Sequence, residues 1–149
     1  MFLPAADIPS FVGKGDVDLG ITGHDVVLES EMNGLVTEVL RLDFGKCSLQ
    51  VQVPETSPIT TVDELAGKRV VSSFQSLSGD YFSKIDDRLQ LTGEQRTKIE
   101  YVGGSVEAAC SLGLADGIGK QLIANCLHSS LLTDIHQSIS LASQDSLFD

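Results

Sequence analysis

The chain has 149 residues, the length of one ordinary domain or of two small lobes. Hydrophobic residues make up 42% of it, enough for a packed core, so the composition excludes a disordered protein. The formal net charge of −11 argues against a nucleic-acid partner and an anionic membrane surface, although backbone amides at helix N-termini still allow a phosphate-bearing ligand.

Targeting signals and cysteine chemistry are not evident in the sequence. No apolar run approaches the roughly 18 residues of a membrane span, and Met1–Pro4 lacks the basic and apolar regions of a signal peptide. The three cysteines, Cys47, Cys110 and Cys126, form no C-x-x-C pair. We therefore expect a cytoplasmic protein with reduced thiols and with neither disulfides nor zinc.

The first predicted elements are a short helix and a buried strand. Asp7 as N-cap and Pro9 in the first turn predict a helix over 8–12. Apolar residues then alternate over 17–21, which predicts a strand. The strand leads through a glycine turn to Thr22, Gly23, His24 and Asp25. Because ligands bind outside the carboxyl ends of strands in open α/β sheets, this turn is a candidate site. The alternative is a buried strand whose polar residues only cap the next element of the chain.

Strand and helix patterns alternate through the middle of the chain, which favours a parallel or mixed α/β sheet. The patterns predict helices over 26–31, 61–65 and 81–89 and strands over 36–42, 49–54, 70–74 and 98–102. In the strand over 49–54 the Gln residues face one side and the aliphatic residues the other, so one face is polar or lines a cleft.

A glycine-rich helix start comes directly after the last of these strands. Gly103 and Gly104 precede Ser105, a good N-cap for a helix that carries Glu107. Residues 114–118 then repeat the pattern of 17–21, a small apolar strand with an aspartate beside a glycine. These three pieces could form one ligand site, or all three could be purely structural. From 119 onward, apolar spacing predicts one or two amphipathic helices, and 145–149 a frayed tail.

The common catalytic and metal motifs are not present. Gly119-Lys120 lacks the first glycine and the hydroxyl residue of a phosphate-binding P-loop, and Gly13-Lys14-Gly15 lacks the third glycine of a dinucleotide fingerprint. His24, His128 and His136 show no metal spacing and complete no Ser-His-Asp set. We predict no metal ligands and assign no catalytic residue.

Five blocks in consistent order resemble the ATP phosphoribosyltransferase family, and together they span residues 2–118. They are Leu3-Pro-Ala-Ala-Asp-Ile-Pro, Asp18-Leu-Gly-Ile-Thr-Gly-His-Asp, Phe44-Gly-Lys-Cys-Ser-Leu-Gln-Val-Gln-Val-Pro, Asp63-Glu-Leu-Ala-Gly-Lys and Gly104-Ser-Val-Glu-Ala-Ala-Cys-Ser-Leu-Gly-Leu-Ala-Asp-Gly-Ile. The family's glycosyltransferase activity opens histidine biosynthesis by joining N1 of ATP to the ribose of phosphoribosyl pyrophosphate.

The resemblance implies a bilobed α/β fold like that of type II periplasmic binding proteins, with substrates in the cleft between the lobes. It places a partial lobe one at 1–45, lobe two at 46–114, and a return to lobe one with a divergent C-terminal segment at 115–149. It also implies ATP and phosphoribosyl pyrophosphate as ligands, Mg²⁺ accompanying the donor, and dimers and hexamers, so we expect a homo-oligomer.

The resemblance also implies the site residues. Asp25 and Glu107 would hold ribose hydroxyls, with nearby hydrogen bonds from Thr22, Gly104 and Ser105. The substrate-binding set that we predict has seven members: Thr22, Gly23, Asp25, Gly104, Ser105, Glu107 and Asp116. The reaction is a displacement at an anomeric carbon with pyrophosphate leaving, which needs positioning and charge stabilisation more than a covalent nucleophile.

The sequence departs from the family pattern at two places. The family's first strand and a Lys-Gly-Arg-Leu-type loop come before the region where this chain begins. After Ile118 the family continues with Asp-Leu-Val-Glu-Ser-Gly-x-Thr, which cradles the donor's 5′-phosphate, whereas this chain has Gly119-Lys-Gln-Leu-Ile-Ala-Asn-Cys. Lobe one is thus expected to be incomplete, and the enzyme impaired or inactive in this form. A non-catalytic nucleotide- or anion-binding module and a fragment that does not fold alone are the alternatives.

Overall fold

The computed structural model describes residues 2–42, 47–123 and 132–139, in two compact units that meet in sequence between Gly45 and Lys46. The first unit has two short helices, α1 (Ile8–Gly13) and α2 (His24–Glu29). The helix predicted over 8–12 is confirmed. Asp7 takes the N-cap position, but its side chain makes no capping hydrogen bond. The described helices include none with the length and hydropathy needed to cross a membrane.

The strands predicted over 17–21 and 36–42 are wrong. Neither segment forms a strand, and most of their apolar side chains lie in solvent: Leu19 and Ile21 are 66% and 71% exposed, and Val39 and Leu40 are 74% and 72% exposed. Alternation shows which face of a strand would be buried, but a strand also needs a neighbour for its backbone hydrogen bonds. The described part of the first unit offers these segments no such neighbour.

The second unit is built on a five-stranded sheet. Its strands are β1 (Cys47–Pro54), β2 (Arg69–Ser72), β3 (Lys98–Tyr101), β4 (Gly117–Ile123) and β5 (Leu132–Ile139), in the spatial order β3-β2-β4-β1-β5. Strand β2 pairs in parallel with β3 and β4, whereas β1 pairs antiparallel with β4 and β5. The sheet is therefore mixed, as the sequence predicts.

Helices pack on both faces of this sheet. The helices are α3 (Val62–Leu65), α4 (Gln75–Arg88) and α5 (Val106–Ser111), with a 3-10 turn at Gly93–Gln95. Adjacent strand residues point to opposite faces, and accordingly Val70 packs with Phe82 of α4 while Val71 packs with Val106 of α5. The predicted polar face of β1 is covered too, because Gln52 is only 4% exposed.

The helices predicted after residue 118 are wrong for the described residues. The predicted apolar positions Leu122, Leu132, Ile135 and Ile139 lie in β4 and β5, while Cys126 and the tail at 145–149 lie outside the described residues. The backbone of β1 needs hydrogen-bonding partners on both sides, and β4 and β5 supply them. These strands belong to the second unit's sheet, so the return of 115–149 to lobe one stays a prediction.

Candidate functional site

The carboxyl ends of three parallel strands of the second unit lie together at one edge of its sheet, the edge that the strand ends form. Strand β2 ends at Ser72 and leads into α4, and β3 ends at Tyr101 and leads through Gly103–Ser105 into α5. Strand β4 runs in the same direction, with its Gly119 in register with Ser72. Ligands of open α/β sheets bind at such an edge, so we take it as the candidate site. It brings together the predicted residues Gly104, Ser105 and Glu107.

The turn before α5 leaves polar groups accessible. Ser105 is the N-cap residue of α5, yet its side chain makes no capping hydrogen bond. Gly104 and Ser105 are both exposed, and a methyl group built on Gly104 would meet nothing within 4 Å. A ligand can therefore approach this backbone closely, which a bulky residue at position 104 would hinder.

Glu107, in the first turn of α5, forms an ion pair with Lys120 of β4. Lys120 Nζ donates a hydrogen bond to Glu107 Oε1, and the two side chains are each about one-third exposed, at 32% and 35%. The hydrogen bond from Lys120 lowers the pKa of Glu107 below its ordinary value of 4.5. Glu107 is therefore a carboxylate at neutral pH, able to accept hydrogen bonds.

A buried hydroxyl network lies beneath this edge. Ser72 Oγ donates to the carbonyl oxygen of Gly119 at 2.9 Å and accepts a hydrogen bond from the backbone N–H of Phe74 at 3.0 Å. Ser78 Oγ of α4 donates to Ser72 Oγ at 2.9 Å, and both serines are fully buried. The network joins the end of β2 to the start of α4 and to β4, the strand that carries Lys120.

Asp116 lies at the opposite ends of these strands, beside the first residues of β2 and β4. Its Oδ2 accepts hydrogen bonds from the backbone N–H and the Nε of Arg69, at 3.1 and 3.2 Å, and Arg69 lowers its pKa below 3.8. Four residues of strand, roughly 13 Å, separate it from Lys120. Asp116 therefore links the starts of β2 and β4 and is not grouped with Glu107. It also borders a cleft of about 250 Å³ that Lys68 and Thr56 help to line.

The other three predicted residues lie in the first unit, at the start of α2. Asp25 is buried at 7% exposure, and its Oδ1 lies over Gly23, where a methyl group would come within 2.2 Å of it. Glycine is thus the residue that allows this placement of the carboxylate. Thr22 Oγ1 donates to the carbonyl oxygen of Ala5 at 3.0 Å, which ties the turn to the start of α1.

Sequence reasoning missed Lys120, which forms an ion pair with the predicted site carboxylate Glu107. In the sequence this lysine stands out only as part of an incomplete P-loop motif. The contact joins α5 to β4 across 13 positions of sequence, so local spacing could not reveal it. The available signal was the departure from the family pattern that begins at Gly119.

Solved structures share this fold at low sequence identity. An ATP phosphoribosyl transferase (HisG:HisZ) complex from Thermotoga maritima matches with a TM-score of 0.71 and 21% identity, covering 94% of this chain and 63% of that one. A putative periplasmic sulfonate-binding protein from Methylobacillus flagellatus matches with a TM-score of 0.52 and 22% identity, covering 76% and 34%. The fold is therefore of the type II periplasmic-binding-protein class.

Sequence comparison then identifies the family. The sequence model of the ATP phosphoribosyltransferase family matches residues 4–124. The ATP phosphoribosyltransferases of Yarrowia lipolytica and Debaryomyces hansenii are 54% and 53% identical over 118 and 121 residues, which is 79% of this chain and 38% of each relative. The chain belongs to the ATP phosphoribosyltransferase family. It spans about two fifths of the length of these curated relatives.

Proposed function

We propose that this chain acts as an ATP phosphoribosyltransferase, a glycosyltransferase that moves the phosphoribosyl group of phosphoribosyl pyrophosphate to N1 of ATP. The observation that carries this proposal is the family match over 4–124, together with a charged carboxylate, Glu107, at the ligand-binding edge of the sheet. The expected setting is cytoplasmic histidine biosynthesis.

In this proposal the site residues hold the reactants and do not attack them. Glu107 accepts hydrogen bonds from ribose hydroxyls, and Gly104 and Ser105 donate nearby hydrogen bonds. Asp25, with Thr22 and Gly23 beside it, has the corresponding role in the first unit. The displacement at the anomeric carbon gains from this positioning, because fixing two reactants removes much of the entropic cost of bringing them together.

The donor's magnesium ion is proposed to bind through the substrate. The described residues contain no group of three or more His, Cys, Asp or Glu side chains placed to hold a metal. Mg²⁺ commonly binds substrate phosphates together with one or two carboxylates and water. The residues therefore fit an ion that arrives with phosphoribosyl pyrophosphate, and Glu107 is the carboxylate nearest to that role. Assembly into a homo-oligomer is proposed from the family alone.

The first experiment is a calorimetric titration of the full chain with ATP, and then with Mg²⁺ and phosphoribosyl pyrophosphate. We expect ATP binding in the unmodified chain and a loss of at least tenfold in Glu107→Gln, about the effect of one charge-assisted hydrogen bond. Glu94→Gln is the matched control, because Glu94 is exposed and lies in the 3-10 turn before β3. Equal affinities in all three proteins would refute the role of Glu107.

A second function, nucleotide binding without turnover, is favoured by one observation. One oxygen of the Glu107 carboxylate is already engaged by Lys120. Separation of the reaction products by chromatography distinguishes the two functions. Phosphoribosyl-ATP formed from ATP and the donor supports the transferase, and ATP binding without product supports the binding module.

A further inference from the structure

Lys120 has unused hydrogen-bonding capacity beside Glu107. A lysine ammonium has three N–H donors, and within the described residues the Nζ of Lys120 contacts a single acceptor, Glu107 Oε1. Because the side chain is about one-third exposed, a ligand at the site can reach the remaining donors. The lysine is also held in place by Gly119, whose carbonyl oxygen accepts the hydrogen bond from Ser72.

The ion pair changes what Glu107 can bind. A free carboxylate accepts hydrogen bonds at both oxygens and suits a ribose diol. Lys120 engages Oε1 through a charge-assisted hydrogen bond that a neutral hydroxyl does not displace, so Oε2 is the more accessible acceptor for ribose. An anionic group of a ligand near the pair can instead bind the Lys120 ammonium. This matters in a chain with a net charge of −11, which otherwise repels phosphate.

We infer that Lys120 makes the Glu107 site selective for a phosphorylated ribose over an unphosphorylated one. The remaining N–H donors of Lys120 bind the phosphate, while Glu107 Oε2 accepts a ribose hydroxyl. The inference rests on the proposed function, in which Glu107 contacts ribose, and it adds the residue that recognises the phosphate.

The test compares adenosine with adenosine 5′-phosphate, two ligands that differ only in one phosphate group. Calorimetry on the full chain gives the ratio of their affinities at fixed ionic strength. We expect Lys120→Met to lower the preference for the phosphate form about tenfold, the size of one charge-assisted hydrogen bond. Lys120→Arg keeps the cation and retains the preference. Lys98→Met is the matched control, because this exposed lysine begins β3 at the opposite edge of the sheet.

A second variant breaks the same ion pair from the other side. Glu107→Gln removes the ribose acceptor and leaves Lys120 charged, so both ligands should bind more weakly, adenosine more so than adenosine 5′-phosphate, and the preference for the phosphate form should rise. Thermal melts identify any variant that is unfolded, and the two variants predict opposite changes. An unchanged ratio in a folded Lys120→Met or Glu107→Gln protein overturns the selectivity and leaves the proposed function standing. If the unmodified chain binds neither adenosine 5′-phosphate nor ATP, both are overturned.

Discussion

Ser72 forms three hydrogen bonds beneath the candidate site, with groups of β4, of α4 and of the turn between β2 and α4. Replacing it with alanine leaves the Phe74 N–H, the Gly119 carbonyl oxygen and the Ser78 hydroxyl without this partner in a fully buried place. We expect Ser72→Ala to lower the free energy of unfolding by about 1–3 kcal/mol, the range for unsatisfied buried polar groups. Urea denaturation measures the change.

Ser111→Ala is the control for this substitution. Ser111 also donates a hydrogen bond to a backbone carbonyl oxygen, that of Glu107 at 3.2 Å, but it is exposed. Water replaces the lost partner there, so its effect should stay within about 0.5 kcal/mol. Equal effects of the two substitutions would show that burial of the Ser72 network contributes nothing.

The ion pair of Glu107 predicts a pH dependence of stability. Its pKa in the folded chain is lower than the ordinary 4.5, mainly because of Lys120. The folded state then binds its proton less readily than the unfolded state, so the pair's contribution is complete above about pH 5 and disappears as the pH falls through the folded pKa. We expect the difference in unfolding free energy between the unmodified chain and Glu107→Gln to vanish in acid.

Urea titrations between about pH 7 and pH 3 measure that difference, with the other carboxylates common to both proteins. Asp116 and Glu64 also have lowered pKa values, which make both proteins less stable in acid. Subtracting the unfolding free energy of one protein from that of the other removes this common effect. A difference that stays constant across this range would mean that Glu107 stabilises the fold through something other than its charge.

At the scale of elements, a buried carboxylate links α4 to Thr97, the residue that precedes β3. Asp86, near the end of α4, is 2% exposed and accepts hydrogen bonds from Thr97 N at 2.8 Å and Thr97 Oγ1 at 2.7 Å. Asp86→Ala leaves both donors without an acceptor, so we expect a loss of about 2–3 kcal/mol. The neighbouring Asp87→Ala is the control, because both aspartates pair with Arg96, at 3.8 Å for Asp86 and 2.8 Å for Asp87, but Asp87 is 68% exposed and the hydrogen bonds from Thr97 go to Asp86.

The control should cost less than about 1 kcal/mol, as exposed ion pairs usually do. Thermal unfolding of the two variants and the unmodified chain supplies the comparison. If Asp87→Ala proved the more damaging, the attachment of α4 would depend on the surface ion pair with Arg96 and not on the buried contacts with Thr97.

The same alternation of apolar residues predicted one strand correctly and two incorrectly. In β1 the alternating residues Leu49, Val51 and Val53 are buried, and β4 and β5 supply the pairing. The segments 17–21 and 36–42 carry an equally clear pattern but have no strand neighbour within the described residues. Periodicity reports a side-chain preference, and pairing depends on distant residues that a local pattern does not contain.

The candidate site, like the strands, was predictable only where its pattern is local in sequence. The order strand, glycines, Ser105, helix is local in sequence, and the structure shows it directly. The pairing of Glu107 with Lys120 and of Asp116 with Arg69 joins residues 13 and 47 positions apart, so only the folded sheet reveals them. The candidate residues were thus found from local motifs, whereas their partners, which decide their charge and availability, were not.

At the scale of the whole molecule, the apolar core lies in one unit. Among the described residues, all the buried hydrophobic side chains of the core belong to positions 49–118, in the second unit. The first unit buries Pro9 and Asp25, and it exposes Leu19, Ile21 and Val39. Because burial of apolar surface is the main favourable term in folding, the two units should differ in stability.

Hydrogen exchange on the full chain measures this difference amide by amide. Amides of β1, β2 and β4 should exchange only with global unfolding of the second unit, while those of α1 and α2 should exchange through local opening at least tenfold faster. The reason is that two six-residue helices with little buried apolar surface do not hold their hydrogen bonds unaided. Equal protection in the two units would mean that they unfold together. Slower exchange in α1 and α2 after addition of ATP would show that the first unit responds to ligand, as the proposed role of Asp25 requires.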